Sequence, residues 1–222
     1  MKRLMLDVIK VGGIEYKVVF PYETETNEDV LGLHVPHVAE LRVVDKIYGQ
    51  SLKWCKIHET LLHELFHALE DVYCTENILH TSVTKLSTGL YQVLRDNEFN
   101  IQKFKDFPRK AKIAGHVYDV VPDCEFEDEV ENPYFDVKNQ TTKLFFSDMK
   151  ASPSFKASCF CSAVFYALCS VYMGEDEDEV LRNNIKNLGR GIYQVLKDND
   201  IEEIISYGIR EDDKYRKNKK RV

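Results

Sequence analysis

The sequence predicts an α+β fold made of two tandem copies of one unit, in which antiparallel strands are followed by two helices. The first observation is that residues 89–97 (GLYQVLRDN) recur almost unchanged as residues 191–199 (GIYQVLKDN), a shift of 102 positions. The second is that residues 13–19 (GIEYKVV) align with residues 115–121 (GHVYDVV) at the same shift. The third is that β-branched segments precede long segments with helical apolar spacing. Such self-similarity indicates a duplicated unit.

Four strands are predicted in the first copy. Residues 6–11 and 14–20 flank a Gly-Gly pair, which is typical of a hairpin. Residues 30–35 and 39–45, joined by a Pro-His turn, predict a second strand pair, and their β-branched content supports the extended conformation. The strands should therefore form the sheet against which the helices of this copy pack.

Two helices complete the first copy. The first is predicted from about Ser51 to Tyr73 and the second from about Glu76 to Arg95. The second helix has apolar residues at helical spacing, which are Leu79, Val83, Leu86, Leu90 and Leu94. The second copy repeats the order, with strands near 110–122 and 134–147 and helices near 154–173 and 178–197.

These features divide the chain into three parts. Residues 1–106 form the first unit, residues 107–209 form the second, and residues 210–222 form a basic tail that we expect to be disordered. Each unit is about a hundred residues long, a common size for a domain.

The composition is that of an ordinary globular protein, with 44% hydrophobic and 30% charged residues. No apolar run approaches the eighteen or so residues of a membrane span, and the N-terminus lacks a secretory signal, so we expect a cytoplasmic protein without a membrane partner. The net charge of −7 argues against a general nucleic-acid binder, and only the basic tail would contact nucleic acid. The six cysteines are irregularly spaced and predicted to be reduced.

His63, Glu64 and His67 form an HExxH pattern on the first predicted helix. Residues four apart share one face of a helix, so both imidazoles can bind one metal ion while the carboxylate of Glu64 projects beside them. The pattern predicts a zinc site in which Glu64 takes a proton from metal-activated water. The flanking residues are mostly apolar, so we expect the histidines to lie in an apolar surface that excludes water. The apolar residues are Leu61, Leu62, Leu65, Phe66, Ala68 and Leu69.

The second copy lacks this set of side chains. At the shift of 102 the three positions fall on Phe165, Tyr166 and Cys169, and at a shift of 103 they fall on Tyr166, Ala167 and Ser170. Both alignments predict that the second copy binds no metal through these positions.

A catalytic zinc ion usually has three protein ligands, so a third must come from another element. The next helix is the natural source because it packs antiparallel to the first after a short turn. His80 and Glu76 are the candidates.

Four other residues are candidates for lesser roles. His58 precedes the HExxH pattern and would face the cleft or solvent. Tyr91 would offer a hydroxyl to an oxyanion, although its counterpart in the second copy favours a structural role for both. His34 and His37 would help to bind substrate as an added strand, but an exposed turn is the favoured interpretation.

Together, the strand pair, the HELFH helix and the following amphipathic helix resemble the small zinc metallopeptidases of the ImmA/IrrE and SprT-like groups, phage-encoded members in particular. The resemblance covers residues 10–97 and implies a zincin-like fold, a Zn²⁺ cofactor and a protein or peptide substrate. The acidic third ligand of ImmA/IrrE proteins aligns at or near His80, and SprT-like members have a histidine at a similar distance. The resemblance therefore implies His80 as the third metal ligand, with Glu76 as the second choice.

The sequence is compatible with two functions. The first is a zinc peptidase with one active and one degenerate lobe, with Glu64 as general base. The second is a non-catalytic phage or mobile-element protein that acts by protein–protein interaction, with the degenerate lobe as the surface for a partner.

Overall fold

The computed structural model describes residues 5–23, 30–97, 99, 101, 107–122, 143–146, 152–173 and 179–219. Its first half contains four strands, β1 (Val8–Val11), β2 (Ile14–Val19), β3 (Gly32–Val35) and β4 (Glu40–Val43). The chain is a mixed α+β protein, as the sequence predicts. Both expected strand pairs are present as antiparallel pairs, β1 with β2 and β3 with β4.

The two pairs join through a parallel contact between β2 and β4. This contact gives a sheet with the strand order β1–β2–β4–β3 and leaves β3 at one edge. A short hairpin follows, formed by β5 (Lys46–Ile47) and β6 (Gln50–Ser51). The sequence analysis does not predict this hairpin, although Tyr48 and Gly49 both have the positive φ angles, 48° and 72°, that a tight hairpin turn requires.

Two long helices pack against this sheet. Helix α1 spans Trp54–Tyr73 and helix α2 spans His80–Asp96. The sequence places the start of the second helix near Glu76, but the structure begins it at His80, because the preceding residues form an extended connection. The apolar face of α1 is almost fully buried and includes Ile57, Leu61, Leu62, Leu65, Phe66, Ala68 and Leu69.

The second half repeats several of these elements. Strands β7 (Lys110–Ile113), β8 (His116–Pro122) and β9 (Lys143–Phe146) form a sheet in that order, antiparallel between β7 and β8 and parallel between β8 and β9. The strand predicted over residues 134–147 is therefore present at its end, and its earlier part lies outside the described residues.

Helices α3 (Pro153–Tyr172) and α4 (Glu179–Asp198) lie within one residue of their predicted ends. Helix α3 begins after Ser152, whose hydroxyl accepts the backbone N–H of Phe155. By length and composition, α3 is one helix that could cross a membrane, and 56% of its most apolar window is buried inside the protein. A buried apolar helix of this kind is typical of the hydrophobic core of a protein.

A fifth helix, α5, spans Ile201–Lys219. The sequence analysis expects residues 210–222 to be disordered, but residues 210–219 continue this helix. Helix α5 packs against α1, and the Asp212 carboxylate accepts the backbone N–H groups of Trp54 and Cys55 at 3.1 and 2.9 Å. Because the carboxylate satisfies two donors at the start of α1, it acts as an N-cap supplied by another helix.

The two halves exchange reciprocal contacts. A Cβ atom added to Gly89 would lie 3.0 Å from the ring of Tyr172, and one added to Gly191 would lie 2.7 Å from the ring of Tyr73. In each half, a glycine on the second helix therefore contacts a tyrosine at the C-terminal end of the first helix of the other half.

The same reciprocity holds at the strands. The side-chain amide of Asn97 donates to the carbonyl of Lys112 and accepts its N–H, both at 2.7 Å. Asn199 makes the same pair of bonds with Lys10, at 3.0 and 2.8 Å. Each half thus fixes the first strand of the other through an asparagine that follows its second helix.

These contacts correct the expected alignment of the central helices. Tyr73 and Tyr172 have equivalent contacts but lie 99 positions apart, rather than 102 or 103. At this offset the counterparts of the predicted site residues His63, Glu64 and His67 are Ser162, Ala163 and Tyr166. The second half still lacks the three side chains, but the residues in their place differ from those that the sequence alignment names.

Candidate metal centre

Three histidines converge at one end of a cleft between α1, α2 and β3. His63 and His67 lie one turn apart on α1, and His80 is the first residue of α2. The Nε2 atoms of His63 and His80 are 3.1 Å apart, and one ligand nitrogen from each of the three residues lies within 4.8 Å of the others. The structure thus brings together all three metal ligands that the sequence analysis favours.

The donor set and its spacing fit a zinc ion. With Zn–N bonds of 2.0–2.1 Å, the nitrogens of a tetrahedral site lie about 3.3 Å apart, close to the distance between His63 and His80. Burial and the neighbouring imidazoles lower the pKa of His63 to about 4, so this ring is neutral at physiological pH. Neutral imidazoles are the form that binds metal.

A buried carboxylate supports one of the ligands. The Nδ1 atom of His67 lies 3.0 Å from Oε2 of Glu70, which is one turn further along α1 and 6% exposed. A carboxylate at Nδ1 leaves Nε2 of His67 as the nitrogen with the free lone pair. The sequence analysis assigns no role to Glu70, although its spacing of three residues from a predicted ligand was a usable signal.

Glu64 lies beside the histidines and is 6% exposed. Burial raises the pKa of its carboxyl group to about 7, while a hydrogen bond from the backbone N–H of His34 opposes this rise. The carboxylate packs closely on strand β3, where a Cβ added to Gly32 would lie 2.6 Å from Oε1 of Glu64. The edge strand therefore fixes the position of the predicted general base.

The cleft has a volume of about 660 Å³ and is open to solvent on one side. Strand β3 forms one wall with Gly32, Leu33 and His34, and Thr84 and Ser87 on α2 form another. The three histidines and Glu64 lie on its floor. A volume of this size admits a segment of a few amino acids.

His34 differs from its expected place. The sequence analysis favours an exposed turn, but the His34 side chain is only 8% exposed and stacks on His67 with 6.5 Å between ring centroids. Its Nε2 atom lies 3.7 Å from a carboxylate oxygen of Asp71. His37, three residues later, is exposed in the turn that follows β3, as expected.

Three other candidates do not belong to the centre. Glu76 is exposed in the connection between α1 and α2, outside the cluster of three histidines. Tyr91 is 7% exposed and does not line the cleft, so it is not placed to stabilise an oxyanion there. His58 faces neither cleft nor solvent, because it is 1% exposed and packs against Trp54 and Gly208.

The cysteines contribute no second metal centre in the part of the chain that the structure describes. Five of them are free thiols there, and the cluster that could hold a metal ion consists of the three histidines. The expectation of reduced cysteines agrees with this result for the five described residues.

Comparisons of the chain with protein-family models, with curated protein sequences and with solved structures find no match. The chemistry assigned to the centre therefore depends on its own geometry.

Proposed function

We propose that this protein is a zinc-dependent peptidase. The observation that carries the proposal is the convergence of three histidine nitrogens within 4.8 Å, beside the buried carboxylate of Glu64. Three imidazoles leave a fourth coordination position open, which distinguishes a catalytic zinc site from a closed structural one. A structural zinc site has no open position and needs no buried carboxyl group beside the metal.

Each residue has a separate role in this proposal. His63, His67 and His80 would hold the metal ion through their ring nitrogens. Zinc bound there would supply Lewis-acid activation of a water molecule and of the substrate carbonyl. Glu64 takes the proton of the attacking water and returns it to the leaving amine. Burial raises the pKa of this carboxyl group to about 7 in the metal-free chain, and a bound Zn²⁺ would lower it and favour the ionised form that accepts the proton.

The substrate would bind along β3. The carbonyl of Leu31 accepts the N–H of Val44 on the β4 side of the strand. Because hydrogen-bonding groups alternate along a strand, the backbone groups of Leu31 and Leu33 point towards β4. The backbone groups of Gly32 and the carbonyl of His34 point towards the cleft, whereas the N–H of His34 bonds to the Glu64 carboxylate. An extended peptide can pair with these groups as an added strand, and the exposed Leu33 offers an apolar contact.

We also propose that the two halves are tandem copies of one zincin-like unit. The matching strand orders and the reciprocal asparagine and glycine contacts support a duplication followed by loss of the ligands in the second copy. In this proposal residues 107–209 are a degenerate lobe. Its role is to hold the first lobe through the contacts at Lys10 and Tyr73.

A second candidate function is a non-catalytic protein that acts through a protein partner. It is favoured by one observation, namely that Ser162, Ala163 and Tyr166 replace the site residues while the surrounding helix pair is retained. The scaffold can therefore exist without the metal, and a partner would contact the degenerate lobe.

Peptide hydrolysis distinguishes the two functions. The zinc-loaded full chain is incubated with a quenched-fluorescent peptide library of randomised sequence, before and after removal of zinc with a chelator. The peptidase proposal predicts cleavage that disappears on zinc removal and returns on zinc addition. Stoichiometric zinc without cleavage of any peptide would favour the binding protein.

A further inference from the structure

The carboxylate of Glu70 contacts two segments that each lead to a histidine of the metal centre. Its Oε2 atom lies 3.0 Å from Nδ1 of His67, and its Oε1 atom accepts the backbone N–H of Ile78. Ile78 precedes His80 by two residues, and its side chain is 5% exposed. One buried carboxylate therefore joins the second ligand on α1 to the connection from which the third ligand emerges.

We propose that Glu70 is a positioning residue that assembles the metal centre from two helices. This inference rests on the proposed function, because it assumes that His67 and His80 bind a metal ion. Glu70 is not a metal ligand in this account. It sets the tautomer and orientation of His67 and the position of the segment that carries His80.

The start of α2 depends on this contact. Leu79, the residue before the helix, makes no side-chain capping bond, and no acidic residue lies in the first turn. The connection before α2 is instead held by the buried Ile78 side chain and by the hydrogen bond from its N–H to Glu70. Loss of that bond would free the first turn, in which His80 is the first residue.

Only a carboxylate satisfies both partners. The N–H groups of Ile78 and of His67 Nδ1 are donors, and an ionised carboxylate offers an acceptor to each. A glutamine offers one oxygen and one NH₂ group. If its oxygen accepts the N–H of Ile78, its NH₂ group faces Nδ1 of His67 and favours the tautomer with the proton on Nε2, which cannot bind a metal ion through Nε2.

The test compares Glu70→Gln with Asp71→Asn. Both substitutions remove one negative charge from neighbouring positions of α1, so the change in formal charge is matched. Asp71 differs in having a side chain that is 39% exposed and lies 3.7 Å from His34, which is not one of the three histidines of the centre. The zinc dissociation constant of each full-length variant is measured by competition with a chromophoric chelator. The tautomer of His67 is read from its ring ¹⁵N shifts without metal.

We expect Glu70→Gln to weaken zinc binding by about 10- to 100-fold and Asp71→Asn to weaken it by less than about threefold. The metal-free Glu70→Gln protein should show protonation of His67 at Nε2, whereas the parent chain should show it at Nδ1. Zinc affinity in Glu70→Gln within about threefold of the parent value would overturn the inference.

Two measurements on the parent chain separate this inference from the proposed function and do not require the variant to fold. Protonation of His67 at Nε2, or rapid exchange of the Ile78 amide, would overturn the role of Glu70 even if zinc binds. The parent chain could instead bind no zinc, yet have His67 protonated at Nδ1 and a protected Ile78 amide. That result would overturn the peptidase proposal and leave the link between the two segments intact.

Discussion

The Nε2 atoms of His63 and His80 lie 3.1 Å apart, although the residues belong to different helices and are 17 positions apart in the chain. Two imidazole nitrogens at this distance share either one proton or one metal ion. His63 is held in the neutral state by burial, which lowers its pKa to about 4. Two ring nitrogens this close together, beside a third histidine, are the arrangement that a metal ion completes.

Glu64→Gln is expected to abolish peptide hydrolysis while leaving zinc bound, because the side chain keeps its shape but no longer accepts a proton. The rate should fall by about 10²- to 10⁴-fold, the usual contribution of a general base. Peptide cleavage and zinc content are measured on the same preparation. Glu76→Gln is the control, since Glu76 is exposed outside the centre. Cleavage at the parent rate in Glu64→Gln would remove Glu64 from the mechanism.

Gly32→Ala is expected to displace Glu64. The added Cβ would lie 2.6 Å from Oε1 of Glu64 and 2.7 Å from Cγ2 of Thr60, so the carboxylate must move away from β3. Activity should fall at least about tenfold and stability by about 1–3 kcal/mol, with zinc retained. Gly13→Ala is the control, because its Cβ would meet no atom within 4 Å. Unchanged activity in Gly32→Ala would show that β3 does not position the base.

Asn199→Ala is expected to destabilise the contact between the halves. The substitution removes both hydrogen bonds to the partly buried backbone groups of Lys10, at a cost of about 1–3 kcal/mol. Asn97→Ala should cost a similar amount through Lys112. Urea unfolding measures both values. Asn187→Ala, at an exposed position of α4, is the control, and an equal effect there would contradict the account.

Glu202→Gln is expected to change the pH dependence of stability. Burial raises the pKa of Glu202 from 4.5 to about 7, and its carboxylate accepts the N–H of Ile101. The unfolded chain loses this proton at lower pH than the folded chain, so the stabilisation is complete below pH 4.5 and is lost as the pH rises to about 7.

Relative to Glu202→Gln, the parent chain should therefore lose about 1–3 kcal/mol of unfolding free energy between pH 4.5 and pH 8. Glutamine can still accept the N–H of Ile101, so the comparison isolates the titration. Urea unfolding at several pH values measures the difference. Parallel curves for the two proteins would show that Glu202 titrates normally.

The three histidines of the candidate metal centre were predictable to different degrees. His63 and His67 follow from helical spacing, because residues four apart on an apolar helix must share a face. His80 depends on how α1 and α2 pack, and its choice over Glu76 relied on the resemblance to known peptidases. The contact of Glu70 with His67 was predictable from their spacing of three residues, but its contact with Ile78 was not, since it depends on a connection that folds back to offer the N–H of Ile78.

The fold was predictable where the pattern is local. The β1–β2 and β3–β4 pairs follow from short turns, whereas the parallel contact between β2 and β4 joins segments separated by a long connection that carries no local signal. Helix α5 was missed because its last part is rich in charge and its packing depends on contacts such as Asp212 with Trp54. Those contacts exist only once the two halves have assembled.

The proposal of a three-histidine zinc site is tested most directly by the zinc content of the purified full chain, measured by mass spectrometry beside His63→Ala, His80→Ala and Glu76→Ala. We expect one zinc ion per chain in the parent protein and in Glu76→Ala, and loss of zinc in both histidine variants. A parent chain without zinc, or zinc retained in both histidine variants, would contradict the account.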